Sequence, residues 1–430
     1  MLLPYNLLLL LVSPLLLVYA FFKGLPHGNS MRSLAERLGF LPRSALEKLQ
    51  GGKVFWVHAV SVGEVRVAQP LIRELKRVHP SSRVVVSSMT FTGNQVARES
   101  NEADLAIFVP FDLPGIVERV LKQLQPDAII IIETELWPNF IHSAKARRIP
   151  LILANGRISR KSFTRYFLVR KIMAGLLESF SLICMQDRES VLRIRRMGAP
   201  ADRTHVSGNI KFDIPWTTVE QGTFAEALGE SGLRSDRYVW VAGSTHKGED
   251  EVMIACHKAL RGQGLQSFLI LAPRHPPRAR AVSELLDLSS LPFVMRSTLQ
   301  SPEEMPGDCE VMVLDTVGEL RDFYSLADVV FVGGSLVPQG GHNLLEPAAL
   351  GKPVLFGPHM FNAREIENLV LQDGAGCTVR NSDELLESLR RLHNDDALRS
   401  RMGAAGRRIV GRNVGATKLT VAKITALLGP

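Results

Sequence analysis

Two short runs of this chain place carboxylates where an apolar run ends. In His58-Ala59-Val60-Ser61-Val62-Gly63-Glu64 a strand-like run closes and a helical pattern opens near Glu64. A helix dipole keeps a carboxylate at the N-terminus ionised, ready to accept a proton. The same placement suits a charge that only stabilises the helix. In Ile132-Glu133-Thr134-Glu135-Leu136-Trp137-Pro138-Asn139 two carboxylates directly follow an isoleucine run. Buried carboxylates without partners are costly. Glu133 therefore suits stabilisation of positive charge developing in a reaction, the positioning of a basic partner, or a structural ion pair with a nearby arginine. In Gly208-Asn209-Ile210-Lys211-Phe212-Asp213, Lys211 is either a cation for an anionic sugar or departing phosphate, or an ordinary surface lysine.

The second half of the chain carries donors instead. Ser244-Thr245-His246 follows a strand-like run and offers hydroxyl and N–H groups. Pro273-Arg274-His275-Pro276 follows another, where Arg274 suits a phosphate fork. Val317, Gly318 and Glu319 form a third such turn. Gly333-Gly334-Ser335 precedes Gly340-Gly341-His342-Asn343-Leu344-Leu345-Glu346-Pro347. A helix starting near Asn343 would aim free N–H groups at a phosphate, and Glu346 could accept both hydroxyls of a ribose. These glycines match neither the dinucleotide nor the P-loop fingerprint. No D-x-D occurs, so a metal-bound nucleotide diphosphate is not indicated, and no metal or cofactor is expected.

The elements that must position these residues are short apolar runs alternating with helical patterns. In 430 residues, 46% are hydrophobic and 22% charged, which excludes wholesale disorder. Strands are predicted at 54–59, 83–88, 105–109, 128–132, 150–154, 182–186 and 205–208. After a looser stretch they resume at 238–243, 268–272, 310–314, 329–333 and 353–356. Unbroken rather than alternating apolar runs fit parallel strands covered on both faces. Helices are predicted at 64–78, 113–124 and 140–147. Pro70 suggests a later helix start or a kink. The expected fold class is α/β: two doubly wound Rossmann-like domains facing a cleft, with an N-terminal hydrophobic helix. The expected boundaries are 1–22 for that helix, 23–213 for the first domain, 214–237 for a linker and 238–415 for the second domain. A final helix at 416–430 would pack back on the first domain. Ligands then belong beyond the carboxyl ends of the strands. Cys184, Cys256, Cys309 and Cys377 are widely spaced, which fits reduced thiols.

The net charge of +8 points to an anionic partner. Residues 141–171 hold nine basic side chains and no acid, among them Arg157, Arg160, Lys161 and Arg165. With 7% aromatics and an apolar N-terminus, a lipid phosphate or anionic membrane surface is favoured over nucleic acid. Met1 to Phe22 carries no charge and as a helix would span roughly 33 Å, about one hydrocarbon core. Asn6, Ser13, Pro4 and Pro14 weaken a spanning segment. A helix lying in the interface, or one docked on the protein itself, fits the same residues. Lys23, Arg32 and Arg37 follow, which places the body on the cytoplasmic side of an inner membrane.

Taken together, HAVSVGE (58–64), IETELWPN (132–139), GNIKFD (208–213), STH (244–246), PRHP (273–276), GGS (333–335) and GGHNLLEPA (340–348) resemble the 3-deoxy-D-manno-octulosonic acid (Kdo) transferases, glycosyltransferase family 30. The resemblance implies a GT-B fold, CMP-Kdo as donor and the bisphosphorylated lipid A precursor (lipid IVA) as acceptor in lipopolysaccharide synthesis. It implies Glu64 as general base, with Glu133 and Lys211 stabilising the transition state. By the same likeness Pro273, Arg274, Val317, Gly318, Glu319, Asn343, Leu344, Leu345 and Glu346 hold CMP, and the reaction inverts the anomeric carbon. A UDP-sugar transferase or 2-epimerase of the same fold is one alternative. A non-catalytic membrane-surface protein is another.

Overall fold

A computed structural model of the chain describes residues 3–24, 30–215, 223–233 and 237–429. Residues 1–214 and 413–430 form one compact unit and 215–412 a second.

The first unit is built on seven parallel strands: β1 (Val54–His58), β2 (Arg83–Ser88), β3 (Leu105–Phe108), β4 (Ala128–Ile132), β5 (Leu151–Gly156), β6 (Leu182–Met185) and β7 (Thr204–Val206). Their order is β3-β2-β1-β4-β5-β6-β7. Alternation sends neighbouring residues to opposite faces. Trp56, Ile129 and Ile131 join one apolar layer. Phe55, Val57, Ile130 and Ile132 join the other, with Leu71 and Ile72. Burial on both faces is why these strands read as unbroken apolar runs.

The helix Val62–Val78 starts before Glu64 and runs straight through Pro70, correcting the expected later start. Proline costs a helix interior about 3 kcal/mol. Val67, Ala68, Leu71, Ile72 and Leu75 are all buried on the same helix. At roughly 1.5–3 kcal/mol for each large apolar side chain, that burial outweighs the lost bond. The helix Ala416–Leu428 buries Val421 and Ile424 in the layer of Leu71. The Asp213 carboxylate accepts the Gly415 and Thr417 N–H groups, each at 2.5 Å, and so caps that helix.

The second unit repeats the plan with β8 (Tyr238–Thr245), β9 (Ser267–Pro273), β10 (Phe293–Met295), β11 (Val311–Val313), β12 (Val329–Val332), β13 (Val354–Phe356) and β14 (Gly376–Thr378). All are parallel, in the order β10-β11-β9-β8-β12-β13-β14. The edge strands β10 and β14 lie outside the expected strands; both are short and, unlike the central strands, only partly buried. The stretch expected as a linker lies partly outside the described residues, at 216–222 and 234–236. Its middle is helical, Phe224–Leu228, with Ala225 and Leu228 buried.

The N-terminal helix runs Leu3–Gly24. Leu7, Leu8, Leu10, Leu11 and Leu15 on it are exposed. Among the described residues no helix is long and apolar enough to cross a membrane. All four cysteines are free.

Candidate active site

The strand order of the first sheet reverses between β1 and β4, and the candidate residues Glu64 and Glu133 follow those two strands. Such switch points are where open parallel sheets bind ligands. Glu64 follows β1 and forms a capping box with Ser61, whose Oγ accepts the Glu64 N–H at 3.3 Å and donates to its carboxylate at 3.0 Å. The Val60 N–H donates to the same carboxylate at 2.7 Å. Burial nevertheless pushes the Glu64 carboxyl up to about 7 from its usual 4.5. The Val60 bond opposes that rise, and the charges of Glu133 and Glu135 add to it. One side chain thus both caps the helix and carries a carboxyl raised toward neutrality.

Glu133 follows β4 with φ of 60°, a left-handed conformation that costs a non-glycine residue roughly 1–2 kcal/mol. Its N–H donates to Ala154 at 2.9 Å, and Lys211 Nζ lies 3.3 Å from its carboxylate. The partner of Glu133 is therefore a lysine, in place of the arginine weighed from the sequence. Glu64, Glu133 and Lys211, 147 residues apart at the extremes, come together in one unit. Strain of this kind is held where the surroundings over-determine it, often at sites of function.

The second sheet reverses between β8 and β12, and its loops meet at a different carboxylate. Glu249 is fully buried and accepts the N–H groups of His246, Gly334, Ser335 and Leu336 at 2.7–2.9 Å. One side chain thereby ties the loop after β8 to the loop after β12. A Cβ on Gly333 would lie 2.5 Å from the Ser244 carbonyl, so this close approach requires glycine. His246 and His342 share an Nε2–H···Nε2 bond of 2.9 Å, with rings nearly parallel at 6°. Burial lowers His342 to about 4, and the positive charge of Arg274 adds to the effect. Arg274 is exposed beyond buried Pro273, its N–H held by Thr245 at 2.9 Å. The helix expected near Asn343 begins at Leu345. Asn343 turns its Oδ1 to the Leu345 N–H at 3.1 Å and its Nδ2 to Glu346 at 3.2 Å. Leu344 and Leu345 are buried. Val317 is 83% exposed and Gly318 has φ of 100°. Glu319 is tied to Arg296 at 2.8 Å and to Thr316. Among the described residues no group of three or more His, Cys, Asp or Glu side chains is arranged to hold a metal ion.

Residues 32–214 match the family described as 3-deoxy-D-manno-octulosonic-acid transferase (kdotransferase), and residues 307–409 match the glycosyl transferases group 1. A 3-deoxy-D-manno-octulosonic acid transferase of Haemophilus influenzae is 36% identical over 414 residues, which is 96% of this chain and 95% of that protein. The chain belongs to the Kdo transferase family. A second Kdo transferase, from Bordetella pertussis, is 31% identical and covers 87% of each chain. A solved UDP-GlcNAc 2-epimerase from Neisseria meningitidis superposes with a TM-score of 0.59 over 87% of this chain and 100% of that one. At 16% identity that likeness speaks for the fold alone.

Sequence reasoning missed several members of this Kdo transferase's candidate site. The S-x-x-E spacing of Ser61 and Glu64 was legible as a capping box. Glu135, which accepts Trp137 Nε1 at 3.0 Å, was seen but given no role. Glu249 had no signal, because three of its four donors lie 85–87 residues away. The basic stretch also divides. Arg157 is half-buried and its main chain pairs with Thr134 beside Glu133, at 2.5 and 3.2 Å. Arg160, Lys161 and Arg165 are exposed on the helix Arg160–Leu168. Next to them Phe167, Leu168, Val169 and Ile172 are exposed, Leu168 at 84%.

Proposed function

We propose that this chain moves Kdo from CMP-Kdo to a hydroxyl of the bisphosphorylated lipid A precursor, lipid IVA, with inversion at the anomeric carbon, as a GT-B type transferase. The observation that carries this reading is the Glu64 carboxyl at a sheet switch point, raised to about 7 and within electrostatic reach of Glu133, which pairs with Lys211. A base works best when its pKa lies near the operating pH. Glu64 removes the hydroxyl proton as the oxygen attacks. Glu133, anchored by Lys211, offers negative charge to the oxocarbenium-like centre that develops. The cytidylate leaves with its charge met by Arg274 and by N–H donors near Asn343, already oriented before reaction. Pro273, the turn Val317–Glu319 and Leu344–Glu346 complete the nucleotide site.

The work is placed on the cytoplasmic side of the inner membrane. Support comes from the exposed cations Arg160, Lys161 and Arg165 beside the exposed apolar tip Phe167–Val169, and from the leucine-rich N-terminal helix. A transfer assay with radiolabelled CMP-Kdo and lipid IVA tests donor, acceptor and product together. Labelled lipid is expected. Thermal protection by UDP and none by CMP would overturn the donor assignment in favour of a UDP-sugar enzyme.

A further inference from the structure

Asn6 is one of the few polar residues in the leucine-rich N-terminal helix, and Asn139 closes the Glu133 loop without a part in the chemistry. The structure joins them. Asn139 Nδ2 donates to Asn6 Oδ1 at 2.7 Å. Asp112, buried in the loop after β3, accepts the Tyr5 hydroxyl at 2.8 Å. The same carboxylate accepts the Asn139 and Phe140 N–H groups at 3.1 and 2.7 Å. Those are the first free donors of the helix Pro138–Ala146, since Pro138 has none. Asn139 Nδ2 also reaches the Asp112 carbonyl, which closes a ring of hydrogen bonds.

This ring leads to the candidate base. Trp137 donates to Glu135 at 3.0 Å and packs edge-on against His58, ring centres 5.4 Å apart. Phe140 packs against His58 as well, at 5.5 Å. His58 ends β1, the strand that leads to Glu64, and Glu135 is one of the charges that raise Glu64. Apolar packing alone does not hold the N-terminal helix here. A cavity of about 80 Å³ lined by Leu9, Ser13, Leu38, Phe111 and Ile116 lies beside it. Burial also raises Asp112 to about 6, so its hydrogen bonds are made at low solvent exposure.

We infer that the N-terminal helix is a strut of the active-site loop as well as a membrane contact, with Tyr5, Asn6 and Asp112 as positioning residues that hold residues 133–139 for transfer. The inference rests on the reading above, and the experiment separates the two. Asn6→Leu makes the helix more apolar while deleting the bond to Asn139, and Tyr5→Phe removes one hydroxyl. Full-length wild type, each single variant and the double variant are assayed on vesicles of anionic phospholipid. For the double variant kcat is expected to fall about tenfold. KM for CMP-Kdo should hold steady and vesicle cosedimentation should stay equal or rise. Amide exchange of residues 139–140 is expected to quicken, and this readout needs no activity. A helix that only anchors predicts unchanged or higher turnover for Asn6→Leu, which would overturn the inference. Unchanged exchange at 139–140 would overturn it too. Wild-type protein that transfers no Kdo while the exchange still responds would reject the proposed function and leave the strut standing.

Discussion

The two sheets share a switch-point geometry and differ in chemistry. After β1 and β4 the first unit pairs Glu133 with Lys211 and buries Glu64, and burial first, then the charges of Glu133 and Glu135, raises the Glu64 carboxyl to about 7. After β8 and β12 the second unit commits the carboxylate of Glu249 to four backbone N–H groups, with His246 and His342 half-buried beside it and Arg274 exposed. Each switch point also holds a non-glycine residue in the left-handed region, Glu133 at 60° and Ser244 at 58°. One topology thus holds its loop carboxylates in two different ways. What differs is the donors they hold: Glu64 takes one backbone N–H and one hydroxyl and is raised toward neutrality, whereas Glu249 takes four backbone N–H groups from two loops.

Replacing the acid at each switch point breaks this comparison most directly. Glu64→Gln should lower transfer by about 10²–10⁴-fold, the usual share of a general base, while CMP still protects against thermal unfolding. Undiminished turnover would end the role given to Glu64. Glu249→Gln offers one carbonyl and an NH₂ group where N–H donors converge. It should cost about 1–3 kcal/mol of stability and weaken CMP protection, read by denaturant unfolding with and without CMP.

The pH profile sharpens the contrast. Glu64 acts as a base only when ionised, so the rate should rise about tenfold per unit below pH 7 and level off above it. The folded chain holds this proton more tightly than the usual value of 4.5 implies. Its contribution to stability is therefore present below pH 4.5 and lost as pH rises through about 7. In Glu64→Gln that pH dependence should disappear from the unfolding curves. The smallest effect belongs to the surface: Arg160→Glu with Arg165→Glu should weaken binding to anionic vesicles severalfold at low salt and leave CMP protection alone.

The contrast was partly legible beforehand. Glu64, Glu133 and Arg274 stood out because each follows an apolar run, and a parallel sheet delivers such positions to one edge. Lys211 stood out as the cation of GNIKFD, and the Asn343–Glu346 turn for the glycine pairs and helix start that precede Glu346. Glu249 did not, since it lies inside a helical approach and gains meaning only from loops far along the chain. Asp213 read as part of a site motif and proved to be the cap of the helix Ala416–Leu428. Asn6 read as a flaw in an apolar helix and proved to be the partner of Asn139.

Periodicity and residue type in the sequence alone determined that the chain forms two parallel α/β sheets, that carboxylates end strands in the first and donors in the second, and that cations cluster between 141 and 171. These are local properties, set by how each short segment meets water and its own backbone. Tertiary structure alone decided what each loop acid became, a raised carboxyl at Glu64 and a tie between two loops at Glu249. That depends on how deeply a carboxylate is buried and on which donors reach it, and both come from residues brought together across long stretches of chain.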